Sequence, residues 1–157
     1  MTPAINAARK AKITHQVHEY AHDPASDSYG MEAVEKLGLQ ADRVFKTLVV
    51  SVDTQELVVG VVPVSSMLSM KSLAKAVGVK KAAMANPSDV ERVTGYVLGG
   101  VSPLGQKKRL KTIIDVSAQA FPTIYVSAGR RGMQIELSPQ DLKKLTGAVF
   151  ADISAAS

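Results

Sequence analysis

The sequence predicts an α+β fold in one domain over residues 1–157, with a largely antiparallel or mixed β-sheet. Two observations carry this prediction. Predicted strands and helices follow one another irregularly, and several strands are joined by turns too short for the crossover that a parallel pair requires. With 46% hydrophobic residues, a chain of this length can bury one sizeable core.

Capping signals mark the predicted helices. Thr2-Pro3, Asn86-Pro87 and Ser138-Pro139 each place an N-cap residue before a proline that suits the first helical position. Glycines follow several of the amphipathic segments, where a left-handed C-terminal residue belongs. The predicted helices cover residues 3–11, 30–37, 71–77, 87–93 and 139–146.

Runs of β-branched and apolar residues predict the strands. These cover residues 13–20, 44–52, 57–62, 112–116, 123–127, 133–137 and 148–153. The short turn Asp53-Thr54-Gln55 predicts an antiparallel hairpin between the second and third strands. Residues 21–28 and 64–70 are predicted to be loops.

Lys46 is the unusual residue of the strand at 44–52. Side chains alternate between the two faces of a strand, so Lys46 shares a face with the apolar residues Val44, Leu48, Val50 and Val52. A lysine near a strand end often lays its stem on apolar surface and keeps its ammonium group in water. The alternative is a lysine that points into a pocket and holds an anion, and the strand pattern alone leaves both interpretations open.

A glycine-rich segment over residues 95–106 is the second candidate for a site. It contains Gly95, Gly99, Gly100 and Gly105 together with Pro103, which excludes a continuous helix or strand. Consecutive glycines form tight turns or β-bulges, but they also let backbone N–H groups approach a phosphate or an oxyanion. Both interpretations remain open at this point.

Composition excludes several classes of chemistry. The absence of cysteine rules out disulfides, thiolate zinc sites and a cysteine nucleophile. The spacing of His18, His22 and Asp23 matches no standard metal site, so no metal is expected. There is no phosphate-binding GxxxxGK[ST] motif.

Charge and hydropathy indicate the partner class. The net charge of +5 favours an anionic partner such as nucleic acid, and basic residues cluster at 107–111 and 130–131. No segment approaches the ~18 consecutive apolar residues of a membrane span, and the N-terminus lacks a signal peptide pattern. We therefore expect a soluble, cytoplasmic protein that does not bind membranes.

Several motifs match one known family. They are the Tyr-x-His-Asp-Pro sequence at 20–24, Phe-Lys-Thr-Leu-Val-Val at 45–50 and Gly-Gly-Val-Ser-Pro-Leu-Gly-Gln-Lys-Lys-Arg at 99–109. On these motifs the chain resembles, nearly end to end, the YbaK family of free-standing relatives of the editing domain of bacterial prolyl-tRNA synthetases. The resemblance implies a mostly antiparallel mixed sheet flanked by short helices, and hydrolysis of mischarged Cys-tRNA(Pro) without a cofactor.

The resemblance also implies roles for individual residues. Lys46 matches the essential lysine of the family, which is placed to hold the terminal adenosine of the tRNA and its phosphate. The implied substrate-binding residues are Tyr20, Tyr29, Thr47, Gly99, Gly100, Val101, Ser102, Ser127 and Gln134. Two positions depart from the family, because relatives carry an acid where this chain has Gln134 and Gly-Gly where it has Ala128-Gly129.

An activated ester needs positioning and electrostatics more than a protein nucleophile. For cysteine, the family mechanism has the substrate thiol attack its own carbonyl group, which explains a site with neither a cysteine nor a histidine base. The implied partners are mischarged tRNA(Pro) and prolyl-tRNA synthetase. Two alternatives stay open: a deacylase for another mischarged tRNA such as Ala-tRNA(Pro), and a non-catalytic module that binds tRNA or the synthetase.

Overall fold

The computed structural model of the protein describes residues 1–26, 28–53 and 55–156. It confirms the predicted α+β class with a mixed sheet. The helices are α1 (Pro3–Lys10), α2 (Tyr29–Leu37), α3 (Met70–Val77), α4 (Pro87–Thr94) and α5 (Pro139–Thr146), with 3₁₀ turns at Ala41–Arg43 and Val116–Ala120. The strands are β1 (His15–Glu19), β2 (Phe45–Val52), β3 (Leu57–Pro63), β4 (Ser66–Leu68), β5 (Ala82–Met84), β6 (Lys111–Asp115), β7 (Ile124–Ser127), β8 (Met133–Leu137), β9 (Val149–Ala151) and β10 (Ser154–Ala156).

Two sheets meet beside the start of β2. The larger sheet has the order β5-β2-β3-β6-β9, with antiparallel pairs around β2 and parallel pairs on both sides of β6. The smaller sheet, β1-β8-β7, is antiparallel. A parallel bridge between Val44 and Tyr125 joins them, so the N-terminal end of β2 lies next to β7.

The predicted hairpin is confirmed. β2 and β3 are antiparallel neighbours, with Phe45 opposite Pro63 and Ser51 opposite Leu57. Thr54, in the predicted turn, lies outside the described residues. β2 also pairs with β5 over residues 50–52, and Lys46, nearer the start of the strand, lies opposite Val62 of β3.

Three short strands were not predicted. The segment 64–70, predicted to be a loop, contains β4, and β5 lies where no strand was expected. The predicted final strand at 148–153 corresponds to the shorter β9, and β10 lies beyond its predicted end. Each of these elements has three residues, and β4 exists because it pairs with β10 from the far end of the chain. Such short strands depend on contacts between distant residues and leave little local pattern. Asp27, in the predicted loop 21–28, lies outside the described residues.

The two faces of β2 bury different side chains. Phe45 and Val49 belong to the larger core cluster, whereas Val50 and Val52 belong to a smaller one on the opposite face. The predicted alternation is therefore correct. Lys46 lies on the apolar face near the start of β2, where it lines a cleft next to the smaller cluster.

A buried carboxylate secures the C-terminal strands. Asp115, which is 1% exposed, accepts hydrogen bonds from Ile153 N at 3.0 Å, Ser154 N at 3.1 Å and Ser117 N at 3.2 Å. We expect Asp115→Ala to lower the free energy of unfolding by about 2 kcal/mol, because buried backbone donors would lose their acceptor. Urea denaturation measures this loss. An unchanged midpoint would show that water replaces the carboxylate at no cost.

Candidate functional site

A cleft of about 450 Å³ opens where the start of β2 meets the smaller sheet. Its lining comes from the end of β1, the start of α2, residues 44–48, the glycine-rich segment and the loop between β7 and β8. Widely separated parts of the chain therefore contribute to one concave surface. This surface is the candidate functional site, as expected for a cleft with both apolar walls and a few polar groups.

Most of the residues implied by the resemblance line this cleft. They are Tyr20, Tyr29, Lys46, Thr47, Gly99, Val101, Ser127 and Gln134. The structure thus brings Lys46 and the glycine-rich segment to the same cleft. Gly100 and Ser102 are not part of its lining; both are buried behind the surface, and Ser102 is 0% exposed. Direct substrate contact by these two residues stays a prediction.

Lys46 is a half-buried cation without an acidic partner. Among the residues that the structure describes, no carboxylate lies within ion-pair distance of its ammonium group. Burial lowers the pKa of Lys46 from its ordinary value. A partly desolvated, unpaired ammonium costs free energy that an anionic ligand would offset.

Two buried oxygen atoms of the cleft residues have no hydrogen-bond partner in the described part of the protein. They are Thr47 Oγ1 and Gln134 Oε1, and Gln134 is only 7% exposed. Buried polar atoms are nearly always paired, so two unpaired oxygens on residues of one cleft indicate that a ligand could supply their partners. Tyr20 lies beside them, and burial raises the pKa of its hydroxyl group, which stays protonated and can donate.

Gly99 and Gly100, in the glycine-rich wall of the cleft, have no room for a side chain. A Cβ atom on Gly99, whose φ is +89°, would lie 2.7 Å from both Arg131 Nε and Tyr29 Cε2. A Cβ atom on Gly100 would lie 2.9 Å from Arg130 Cα. The glycines therefore let this segment pack directly against the loop between β7 and β8, as the turn interpretation of the sequence pattern expects. Approach of their backbone N–H groups to a ligand stays a prediction.

The wall is held from behind by a hydrogen-bonded layer. Ser102 Oγ accepts from Leu104 N at 3.2 Å, and the hydroxyl of Tyr96 donates to Leu104 O at 2.7 Å. Burial raises the pKa of Tyr96 to about 12, so this donor keeps its proton. Thr2 Oγ1 donates to Ala128 O at 2.5 Å and so ties the start of α1 to the opposite loop.

Arg130 and Arg131 line the cleft but were not predicted as site residues. The guanidinium carbon of Arg131 lies 3.8 Å from the centroid of the Tyr29 ring, and its NH2 donates to the Tyr29 hydroxyl. The available signal was two arginines between glycines in a predicted turn. Only the fold shows that this turn reaches the start of α2.

Two of the three histidines, His18 and His22, pair with carboxylates. His18 Nε2 lies 2.9 Å from Glu136 Oε1, and His22 Nδ1 lies 2.6 Å from Glu32 Oε1. Glu32 is 4% exposed, and the hydrogen bond from His22 holds the pKa of Glu32 below its usual range. Within residues 1–26, 28–53 and 55–156, no three histidine or acidic side chains cluster as metal ligands would.

The fold and the cleft define a class: an α+β protein whose candidate site combines a glycine wall with cations and buried oxygens that have no partner among the described residues. The family model of the aminoacyl-tRNA editing domain matches residues 23–145. The chain belongs to this family. None of the helices in the described ranges is both long and apolar enough to cross a bilayer.

Known proteins similar to this chain include two curated bacterial relatives. EbsC of Enterococcus faecalis, a proposed Cys-tRNA(Pro)/Cys-tRNA(Cys) deacylase, is 42% identical over 154 residues, which cover 98% of this chain and 93% of EbsC. The uncharacterized protein YwhH of Bacillus subtilis is 29% identical over 123 residues, or 78% of each chain.

Solved structures share the fold. The crystal structure of a proposed trans-editing enzyme for prolyl tRNA synthetase matches with a TM-score of 0.82 at 23% identity, over 99% of each chain. The crystal structure of a hypothetical protein matches with a TM-score of 0.86 at 25% identity, over 98% of this chain and 100% of the other. The likeness extends over nearly the whole chain and not only over the residues matched by the family model.

Proposed function

We propose that this protein is a trans-editing deacylase that hydrolyses the ester of mischarged Cys-tRNA(Pro). The observation that carries the proposal is Lys46, a half-buried ammonium group that lines the cleft without an acidic partner in the described structure. Family membership and the 42% identity to the proposed Cys-tRNA(Pro)/Cys-tRNA(Cys) deacylase support the substrate class. The net charge of +5 suits an RNA partner.

Lys46 would bind the 3′ end of the tRNA through a phosphate near the terminal adenosine. A cation that has lost part of its hydration binds a phosphate more strongly than one in water does. This contact would bring the aminoacyl ester against the wall at Gly99 and Val101. The N–H of Gly100 is already used in a turn, donating to Val97 O at 3.0 Å, so Gly99 and Val101 are the better candidates for backbone contacts.

The chemical step would use the substrate's own thiol. The cysteine sulfur attacks the ester carbonyl carbon, a C–S bond forms and the bond to the ribose 3′ oxygen breaks. The thiol proton ends on that leaving oxygen, and the amino acid leaves as a cyclic thioester that water later opens. The protein supplies position and electrostatic stabilisation, which fits a chain without cysteine.

Gln134 would contact the amino group of the substrate. Its buried Oε1 atom has no partner within the described residues and can accept a hydrogen bond from an ammonium group. An amide in place of the acid found in relatives removes a charge from this contact. We therefore expect weaker binding of the amino group, and less dependence of the rate on the protonation of that amine.

The proposal predicts strong selectivity for the thiol. We expect rapid hydrolysis of Cys-tRNA(Pro), and at least a tenfold slower reaction for tRNA(Pro) charged with 2-aminobutyrate, in which a methyl group replaces the thiol. Pro-tRNA(Pro) should decay at its rate in buffer. Following radiolabelled ester at constant pH measures all three substrates.

Three results would contradict the proposal in different ways. Equal rates for the cysteine and aminobutyrate esters would reject substrate-thiol assistance. Faster hydrolysis of Ala-tRNA(Pro) than of Cys-tRNA(Pro) would support the alternative substrate. Binding of tRNA without acceleration of any ester would support a non-catalytic module, the alternative favoured by the missing acid at Gln134.

Prolyl-tRNA synthetase is the proposed partner, because it produces the mischarged tRNA that this activity would consume. We also propose that the protein acts in the cytoplasm, where tRNA charging takes place. Co-sedimentation of the two proteins with and without tRNA(Pro) would test the partnership.

A further inference from the structure

We infer that Arg131 is a second phosphate-binding residue of the cleft and that the buried pair Glu32–His22 positions it. The inference deepens the proposed function and rests on it for the choice of a phosphate as the ligand. It starts from contacts that join α2, the segment before it and the loop between β7 and β8. These parts of the chain converge at the cleft.

The first step is the fixed position of His22. Glu32 accepts from His22 Nδ1 at 2.6 Å through Oε1 and from Asp23 N at 2.7 Å through Oε2. Both carboxylate oxygens therefore hold the segment that carries His22. Because Glu32 is 4% exposed and lies in the first turn of α2, this segment is anchored to a packed helix.

The second step is the contact from His22 to Arg131. Nε2 of His22 lies 3.4 Å from NH1 of Arg131, a long contact that still permits a weak hydrogen bond. A guanidinium group can only donate, so Nε2 must accept, and neutral His22 then carries its proton on Nδ1. That tautomer is the one that donates to Glu32. The chain of donors thus runs in one direction, from Arg131 through His22 to Glu32.

The third step is the platform under Arg131. Its guanidinium group stacks on the Tyr29 ring and donates to the Tyr29 hydroxyl. Gly99 contacts both residues and leaves room for them because it has no side chain. Among the residues that the structure describes, Arg131 has no acidic partner, in contrast to Arg130, which lies 3.9 Å from Glu19. Arg131 is therefore an oriented cation with N–H groups left for an anion, and the guanidinium fork suits a phosphate.

The test compares the binding of adenosine 5′-monophosphate and adenosine to the full-length protein, by calorimetry or by NMR titration. The ratio of the two affinities isolates the contribution of the phosphate and needs no turnover. We expect the wild type to prefer the monophosphate, and Arg131→Ala to reduce this preference roughly tenfold. The control is Arg92→Ala, because Arg92 is an exposed arginine outside the cleft that pairs with Asp89, and it should change the preference by less than about twofold.

The positioning role has its own variant. Glu32→Gln keeps an oxygen for Asp23 N but presents an amide N–H₂ to His22, which forces the imidazole proton onto Nε2. The N–H at His22 Nε2 would then face an N–H of Arg131, and two donors cannot form a hydrogen bond. We expect the preference for the monophosphate to fall at least threefold while adenosine affinity stays constant, because a general structural defect would weaken both ligands. His22→Ala should have the same effect if Glu32→Gln does not fold.

Three results would overturn the inference. The wild type could show no preference for the monophosphate, Arg131→Ala could leave the preference unchanged, or Arg92→Ala could reduce it equally. A normal preference in both Glu32→Gln and His22→Ala would reject the positioning role. If instead the binding pattern is as expected and no aminoacyl ester is hydrolysed, the proposed function fails and the phosphate site remains.

Discussion

Replacing Lys46 with methionine is expected to reduce ester hydrolysis by about 100-fold or more while making the protein more stable. The ammonium group is the half-buried cation of the cleft, and loss of a single preorganised charge typically costs that much in rate. Its desolvation is unfavourable in the free protein, so an apolar side chain of similar length should raise the free energy of unfolding by about 1 kcal/mol. Single-turnover deacylation and urea denaturation measure the two effects.

The matched control is Lys111→Met. Lys111 also lies on a strand, but its side chain is exposed and does not line the cleft. This variant should retain activity and gain no stability. If Lys46→Met keeps full activity, or if both variants lose it equally, Lys46 has no specific role at the site.

The dependence of stability on pH should also identify Lys46. Burial lowers its pKa in the folded protein, whereas the unfolded chain has the ordinary value near ~10.4. Between the two values the unfolded state binds more protons, so the contribution of Lys46 to stability rises with pH. The stability advantage of Lys46→Met over the wild type should therefore shrink as the pH is raised from neutral towards 10.4. Urea denaturation across that range checks it, and an advantage that grows with pH would contradict the burial of the charge.

Local signals account for the part of the fold that the sequence predicted. The N-caps at Thr2, Asn86 and Ser138 accept hydrogen bonds from their own helices, as the proline-containing motifs indicated. Strand β2 could be predicted because four of its eight residues are β-branched and its side chains alternate between two buried faces. By contrast, β4 pairs with β10, which is distant in sequence, so the local sequence of neither segment predicts a strand.

The same distinction explains what was predicted of the candidate site. Lys46 is conspicuous within an apolar strand, and Gly99-Gly100 is conspicuous in any segment. The contact between Arg131 and Tyr29 joins residues 102 positions apart, and that between Arg131 and His22 spans 109 positions. Nothing in the local sequence of either arginine of the loop distinguishes a solvated side chain from one stacked on a ring at the cleft.

Gly105→Ala is expected to be the most destabilising single methyl addition among the glycines of the cleft wall and its support. Gly105 has a φ of +67°, and a Cβ atom there would overlap the carbonyl of Pro3 and lie 2.8 Å from Ala4 N. Helix α1 cannot easily move away, because Ala4 is 0% exposed and Thr2 is bonded to Ala128. The left-handed backbone and the overlap together should cost about 3–5 kcal/mol.

Gly78→Ala separates these two contributions. Gly78 has a similar φ of +78°, but apart from its chain neighbours no residue that the structure describes comes within 4 Å of the position of its Cβ. Its cost should be that of the left-handed conformation alone, about 1–2 kcal/mol, without loss of activity. Gly105→Ala should also slow ester hydrolysis in the fraction that folds, since α1 is tied to the loop that carries Arg130 and Arg131. Equal denaturation midpoints for the two variants would show that α1 can move away from the added methyl group at no cost. The wall of the cleft would then not depend on the position of the N-terminal helix.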